Sequence, residues 1–91
     1  IECVRAGTTE VNLAEAVTHL QGNFAQLEGG PTLNAAMLAA DLVDEINVTI
    51  SANMVGGSGP RLTNGATDVL KRYKLAHVCE EDGFLFLRYT R

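Results

Sequence analysis

The chain has 91 residues, with 7 Lys and Arg against 11 Asp and Glu, which gives a formal charge of −4. A chain of this length holds one domain at most, and the acidic balance without a basic block argues against a nucleic-acid partner. No apolar run approaches the ~18 residues that cross a bilayer, and two cysteines make no disulfide framework, so we expect a cytoplasmic protein without membrane contact.

The first part of the chain predicts a strand, a helix and a second strand. Residues 2–6 have the composition of a short strand. Asn12 and Glu15 have the spacing of a helix N-cap and its N3 acid, and apolar residues then recur at helical spacing until Gly22. The segment "NFAQLE", residues 23–28, predicts the second strand.

A glycine pair and a second helix follow. Gly29 and Gly30 predict a turn, and Pro31 suits the first helical position because its missing N–H has no partner there anyway. The helix predicted from Pro31 to about Ala40 is apolar on nearly every face, so we expect it to be buried. Residues 43–55 predict a long strand that alternates apolar and polar side chains.

The last third predicts a loop and a hairpin. Residues 56–65 are rich in glycine and predict a loop, followed by one helical turn near Asp68 to Arg72. Residues 73–80 and 84–90 predict two antiparallel strands joined through Asp82-Gly83. The order β-α-β-α-β before the hairpin indicates an α/β fold with a mixed, mainly parallel sheet flanked by helices.

A strand, two glycines and a helix N-terminus form a common anion-binding arrangement. The first amides of a helix have no partner within it, and the helix dipole adds about half a positive charge. The same sequence is also a common tight turn between a strand and a helix, and no G-x-G-x-x-G fingerprint is present. His77 and Cys79 are two apart on one strand but lack a second pair at metal-site spacing, so we expect no metal site.

The segment "LEGGPTLNAAMLAADLVDEINVTISANMVGGSGPRL" resembles the pyrimidine reductase domain of riboflavin biosynthesis, the reductase half of the bifunctional deaminase-reductase. Members of that family have a fold like dihydrofolate reductase. The likeness is tight from Leu27 to about Leu62 and matches the later half of such a domain. We therefore expect residues 1–91 to be the C-terminal portion of a single reductase domain, inactive without the N-terminal portion.

The resemblance implies an NADPH-dependent reductase that converts the ribose of a ribosylamino-pyrimidine 5′-phosphate to ribityl by hydride transfer. It assigns Glu28 to the substrate and implies no covalent nucleophile. Arg5 and Arg61 are candidates for the cofactor's 2′-phosphate, although each is also an ordinary surface charge. The residues implied in cofactor binding are Gly29, Gly30, Pro31, Thr32, Leu33, Asn34, Ala35 and Ala36.

Two alternatives stay open from the sequence. The same fold also serves reductases of dihydrofolate or pterin type, and a non-catalytic α/β module for ligand binding or dimerisation could keep the glycine pair only for packing. The family and the half-apolar strand from Glu45 to Val55 also imply a homodimer.

Overall fold

The computed structural model describes residues 1–65, 68 and 70–91. The elements are α1 (Leu13–Thr18), α2 (Pro31–Ala39), β1 (Glu45–Ile50), β2 (Lys74–Glu81) and β3 (Phe84–Thr90). The chain divides into a helical unit, Ile1–Leu42 with Pro60–Thr67, and a sheet unit, Val43–Gly59 with Asp68–Arg91. No helix in the described ranges has the length and apolar character needed to cross a membrane.

Helix α1 begins at the predicted cap. The Asn12 side chain accepts a hydrogen bond from the Glu15 amide at 3.1 Å, as the sequence predicted. The Glu15 carboxylate does not complete the capping box, because it accepts from the Gly7 amide at 3.1 Å, while the Asn12 amide donates to the Ala6 carbonyl. The acid therefore fastens the preceding turn to the helix.

Helix α2 has nearly the predicted extent but not the predicted burial. It begins at Pro31 and ends at Ala39, where Asp41 adopts φ 61° and Leu42 N–H donates to the Met37 carbonyl. Ala35, at 2% exposure, is the one buried residue among those described. The prediction of a buried helix is wrong for this chain, because burial on every face needs packing partners on every face, and among the described residues of the helical unit the other helix is the six-residue α1.

The sheet is antiparallel throughout its described strands. Its order is β1-β3-β2, so β3 is central, and β2 and β3 form the predicted hairpin. Asp82 at φ 51° and Gly83 at φ 81° occupy the two-residue loop, which matches the left-handed pair that such hairpins require. A register shift between Leu75 and His77 places a bulge in β2.

The two faces of the sheet differ in chemistry. On β1 the alternation predicted from the sequence is confirmed, since Ile46 pairs with Tyr89 and Val48 with Leu87, whereas Asn47 pairs with Arg88. We name the two faces by their residues. The apolar face carries Ile46, Val48, Ile50, Leu75, Val78, Leu85, Leu87 and Tyr89 together with Glu80, and the polar face carries Glu45, Asn47, Thr49, Lys74, His77, Cys79, Glu81, Phe84, Phe86, Arg88 and Thr90.

Three strand predictions need correction. Residues 2–6 and 23–28 form no strand, and the long strand predicted over 43–55 is confined to Glu45–Ile50. A strand requires a hydrogen-bonded neighbour, and within the described residues β1, β2 and β3 pair only with one another. The mixed α/β class is confirmed, but the parallel pairing is not seen. The predicted helical turn at Asp68 to Arg72 includes a position outside the described residues.

The starts of the two outer strands meet at the Val43 carbonyl. It accepts hydrogen bonds from the Tyr73 hydroxyl and the Arg91 Nε, each at 2.8 Å. The Arg91 amide donates to the Asp44 carbonyl at 3.1 Å. These bonds fix the end of the sheet at which β1 and β2 begin and β3 ends.

Candidate functional site

An open groove of about 520 Å³ lies beside the N-terminus of α2. Five of the eight residues that the sequence implied in cofactor binding line it, together with two residues at the start of α1. The lining residues are Val11, Leu13, Gly30, Pro31, Thr32, Leu33 and Ala36. All of them belong to the helical unit.

Gly29 makes the turn that leads into the groove. Its φ of 84° lies in the left-handed region, where glycine is favoured. A Cβ at this position would lie 3.2 Å from the side-chain nitrogen Nδ2 of Asn34. The Gly29-Gly30 peptide bond is cis. Both the backbone angle and the space available therefore account for a glycine at position 29.

Gly30 has no such internal reason to be glycine. Its φ is −74°, which any residue can adopt, and a Cβ placed there would meet no atom within 4 Å. Gly30 is also one of the residues that line the groove. A Cβ at this position would therefore contact nothing else in the described chain.

The first turn of α2 presents amides without helical partners. The Asn34 amide makes the first bond of the helix, to the Gly30 carbonyl at 2.9 Å. The Thr32 and Leu33 amides precede it and have no acceptor within the helix, and no side chain caps this end. Together with the helix dipole, these two N–H groups give the groove a partial positive charge.

Asn34 and Ala35 lie outside the groove lining. The Asn34 side-chain amide donates to the Leu62 carbonyl at 3.0 Å, and the Asn64 amide donates to the Pro31 carbonyl at 3.1 Å. These two bonds hold residues 62–64 against α2. Arg61 immediately precedes this segment in the chain. Ala35 faces the interior, as its 2% exposure requires.

Glu28 is exposed at the end of the segment before the glycine pair. Its carboxylate accepts a hydrogen bond from the Gln26 side-chain amide at 3.0 Å. Glu28 is not among the residues that line the groove. Glu28 therefore lies two residues before Gly30 in the chain, and its side chain is exposed to solvent.

Sequence reasoning missed the apolar wall of the groove. Val11, at 69% exposure, and Leu13 precede α2 by about twenty positions, and only the folded helical unit brings them beside Gly30. No local pattern in the sequence identifies them, because they flank the α1 cap and are readily explained by that helix alone. They supply the apolar surface that a ring or sugar face could contact.

The polar face of the sheet carries a second group of charged and reactive side chains. Arg88 Nη2 lies 2.8 Å from Glu45 Oε2, and Asn47 donates to the other Glu45 oxygen at 2.9 Å. The hydrogen bond from Arg88, followed by that from Asn47, lowers the pKa of Glu45, and the same ion pair raises the pKa of Arg88. On this face His77 Nε2 also lies 3.0 Å from Cys79 Sγ.

Residues 2–83 match the family model of the RibD C-terminal domain. The chain belongs to the RibD C-terminal domain family. This membership confirms the family that the Glu-Gly-Gly-Pro segment indicated, and it places the glycine pair, α2 and all of β1 and β2 within the matched region of the RibD C-terminal domain.

A relative of this RibD C-terminal domain has a named activity. The chain is similar to the 2,5-diamino-6-ribosylamino-4(3H)-pyrimidinone 5′-phosphate reductase of Methanothermobacter thermautotrophicus, with 44% identity over 63 residues. The alignment covers 66% of this chain and 29% of the relative. The chain thus spans less than a third of the length of the relative that it matches.

Proposed function

We propose that this chain is part of an NADPH-dependent reductase of riboflavin biosynthesis, which reduces the ribose of a ribosylamino-pyrimidine 5′-phosphate to ribityl. Membership of the RibD C-terminal domain family and similarity to a pyrimidinone phosphate reductase support the substrate class. We further propose, on the resemblance of the Glu-Gly-Gly-Pro segment, that residues 1–91 are the later portion of a single reductase domain with a dihydrofolate reductase-like sheet; the alignment covers 29% of that relative.

One observation carries the cofactor assignment. Gly30 lines the groove, a Cβ at its position would meet no atom within 4 Å, and the Thr32 and Leu33 amides that follow it lack helical partners. A diphosphate has the negative charge and the oxygen acceptors that such amides bind. The residues present therefore fit the diphosphate of a dinucleotide, with Pro31 and Ala36 as uncharged walls.

The bound nicotinamide supplies the hydride, and the protein supplies binding and orientation. In this proposal Gly29 sets the turn, and the amides that follow Gly30 hold the diphosphate. Asn34 acts from behind the groove, because its amide fixes the segment around Leu62 through a 3.0 Å hydrogen bond. Val11 and Leu13 offer apolar contact to the neighbouring sugar or ring.

The test is NADPH affinity of the intact protein with three substitutions at Gly30. Like charges about 4 Å apart repel by about 4 kcal/mol at an effective dielectric constant of about 20, so Gly30→Asp is expected to weaken binding by at least about 100-fold. Gly30→Asn has nearly the same size without the charge, and Gly30→Ala tests the space alone. Both are expected to bind more tightly than Gly30→Asp. Fluorescence titration gives the dissociation constants, and far-UV circular dichroism verifies the fold.

Equal affinities for Gly30→Asp and Gly30→Asn would show that no anion sits above Gly30. Unchanged affinity in all three variants would remove the groove from the cofactor site altogether. That result, with no NADPH oxidation in the presence of any substrate, would favour the non-catalytic ligand-binding or dimerisation module.

Glu28 is proposed as a substrate contact. Its carboxylate is exposed and close in sequence to the groove, and Gln26 orients it through a 3.0 Å hydrogen bond. Glu28→Gln is expected to raise the KM for the pyrimidine substrate and to leave NADPH affinity unchanged.

An assay of NADPH oxidation with the ribosylamino-pyrimidine phosphate, and separately with dihydrofolate, distinguishes the pyrimidine reductase from a pterin-type reductase on the same fold.

Arg61 is the better placed of the two arginines proposed for the 2′-phosphate. It adjoins the segment that Leu62 and Asn64 fasten to α2, whereas Arg5 lies before α1. Arg61→Gln is expected to weaken NADPH binding more than NADH binding, because NADH lacks that phosphate. Arg5→Gln is the matched control, and a larger loss of NADPH affinity there would move the assignment to Arg5.

A homodimer and a cytoplasmic location complete the proposal. The apolar face of the sheet supports an assembly, since Ile50, Leu75 and Val78 on it are 47%, 54% and 47% exposed. The two cysteines, both unpaired, are in keeping with a reducing compartment. Light scattering on the intact protein measures the oligomeric state, and a monomeric mass would end the dimer proposal.

A further inference from the structure

The His77 and Cys79 side chains form a contact that the proposed reductase function does not use. Both residues are exposed and lie on the polar face of the sheet, where they pair with Arg88 and Phe86 of β3. Their side chains meet, with His77 Nε2 at 3.0 Å from Cys79 Sγ. A thiol beside an imidazole is the arrangement by which proteins activate a sulfur nucleophile.

Metal binding is the weaker explanation of this pair. Two ligands are fewer than most protein metal sites provide. In the described part of the chain, no group of three or more His, Cys, Asp or Glu side chains is arranged to hold a metal ion. Simple packing is also a poor explanation, because both side chains are exposed rather than enclosed in a core.

We propose that Cys79 is a modification site for small disulfides, with His77 as its general base. In the tautomer that carries its proton on Nδ1, the imidazole accepts the thiol proton at Nε2. The resulting thiolate attacks one sulfur of the disulfide, a new S–S bond forms to Cys79, and the old S–S bond breaks. The departing half leaves as a thiolate and takes the proton from His77. Cys79 is thereby oxidised and the departing half is reduced, so no further oxidant is needed.

The surroundings of the pair favour a small disulfide. Arg88 lies directly across the sheet from His77 and is a diagonal neighbour of Cys79. Its partner Glu45 neutralises part of its charge, although 54% of the Arg88 side chain is accessible, and Glu81, two residues from Cys79 on the same face, adds a carboxylate. Open access suits a disulfide of low molecular weight, and glutathione disulfide is the probe for the test.

The chain supplies its own control thiol. Cys3 is also free and exposed, and the described contacts give it no histidine partner. The intact protein is incubated with glutathione disulfide, quenched at intervals and digested, and the mixed disulfide at each cysteine is measured by mass spectrometry. General-base assistance is worth about 100-fold or more in favourable cases, so Cys79 is expected to react at least about tenfold faster than Cys3.

Three variants complete the experiment. Cys79→Ser is expected to remove the fast reaction, and Cys3→Ser to leave it unchanged. His77→Ala is expected to slow Cys79 to about the rate of Cys3, and added imidazole to restore much of the lost rate. A merely structural histidine would show no such rescue. If His77→Ala does not fold, the comparison of Cys79 with Cys3 in the unaltered protein decides. Equal rates at the two cysteines, or a fast Cys79 in folded His77→Ala, would overturn the proposal.

Discussion

The turn before α2 and the turn of the β2–β3 hairpin share a backbone feature but lead to different structures. Each contains a left-handed glycine, Gly29 at φ 84° and Gly83 at φ 81°. The turn at Gly83 returns the chain so that β2 and β3 pair along their length, interrupted by the bulge between Leu75 and His77. The turn at Gly29 leads into a helix end whose first amides have no internal acceptor. A similar turn therefore leads in the hairpin to paired backbone groups, and before α2 to amides that have no acceptor within the helix.

The largest expected effect comes from exchanging each glycine for alanine. A non-glycine residue in the left-handed region costs about 1 kcal/mol or more, so Gly29→Ala and Gly83→Ala are both expected to lower the free energy of unfolding by about that amount. Only Gly29→Ala is expected to weaken NADPH binding as well, by about tenfold or more, because its Cβ would press on Asn34 and move the turn.

Thermal unfolding and NADPH titration of both variants measure this difference. In Gly83→Ala the new Cβ would lie 3.5 Å from the Ala52 Cβ, an ordinary contact, so the cost there is the backbone angle alone. Equal losses of NADPH affinity in the two variants would contradict this prediction, because they would mean that the hairpin turn also shapes the cofactor site.

Tyr73→Phe tests the sheet region alone. The hydroxyl donates to the Val43 carbonyl at 2.8 Å in a partly buried setting. Its removal is expected to cost about 1 kcal/mol, the usual net value of one hydrogen bond. The Val43 carbonyl keeps its bond from Arg91, which limits the loss. Urea unfolding measures the change, and NADPH affinity is expected to stay constant.

Asn34→Ala tests the anchor behind the groove. The lost hydrogen bond to Leu62 is worth about 1 kcal/mol, and alanine regains about half of that through its higher helix propensity. The net loss of stability is therefore expected to be about 0.5 kcal/mol. Freed from α2, the segment is also expected to be cut faster by trypsin after Arg61, with cleavage after Arg5 as the internal control. Unchanged cleavage at Arg61 would show that the Asn64 bond to Pro31 suffices.

The smallest effect is expected at the exposed ion pair of the polar face. Because the pKa of Glu45 is lowered in the folded protein, the pair adds stability above the carboxyl's usual value of 4.5. That contribution is lost as the pH falls through the lowered pKa of the folded state. Glu45→Gln is expected to lower stability slightly at neutral pH and to flatten its dependence below about pH 4.5. A steeper acid transition in the variant would contradict this assignment.

Local patterns predicted several features correctly. The Asn12 cap, the start of α2 at Pro31 and the Asp82-Gly83 hairpin each depend on residues within a few positions of one another. The Glu-Gly-Gly-Pro segment likewise indicated the family that the comparison confirmed. Short-range sterics and hydrogen bonding determine such features, so they can be found before any tertiary contact is known.

Features that depend on distant partners were predicted less well. Residues 2–6 and 23–28 have strand composition, yet composition does not supply the neighbouring strand that a ladder requires. The apolar residues of α2 predicted burial, but burial depends on what packs against the helix. The wall of Val11 and Leu13 was missed for the same reason, since it forms only when α1 lies beside Gly30.

The sequence by itself determined the family, the turns, the helix starts and the alternation of faces on β1, because each follows from neighbours along the chain. Tertiary structure alone decided that β1 pairs with β3 and that Gly30 lines a groove with Val11 and Leu13. Pairing and enclosure depend on residues far apart in the chain, and no local rule of backbone geometry or side-chain spacing encodes where those residues meet.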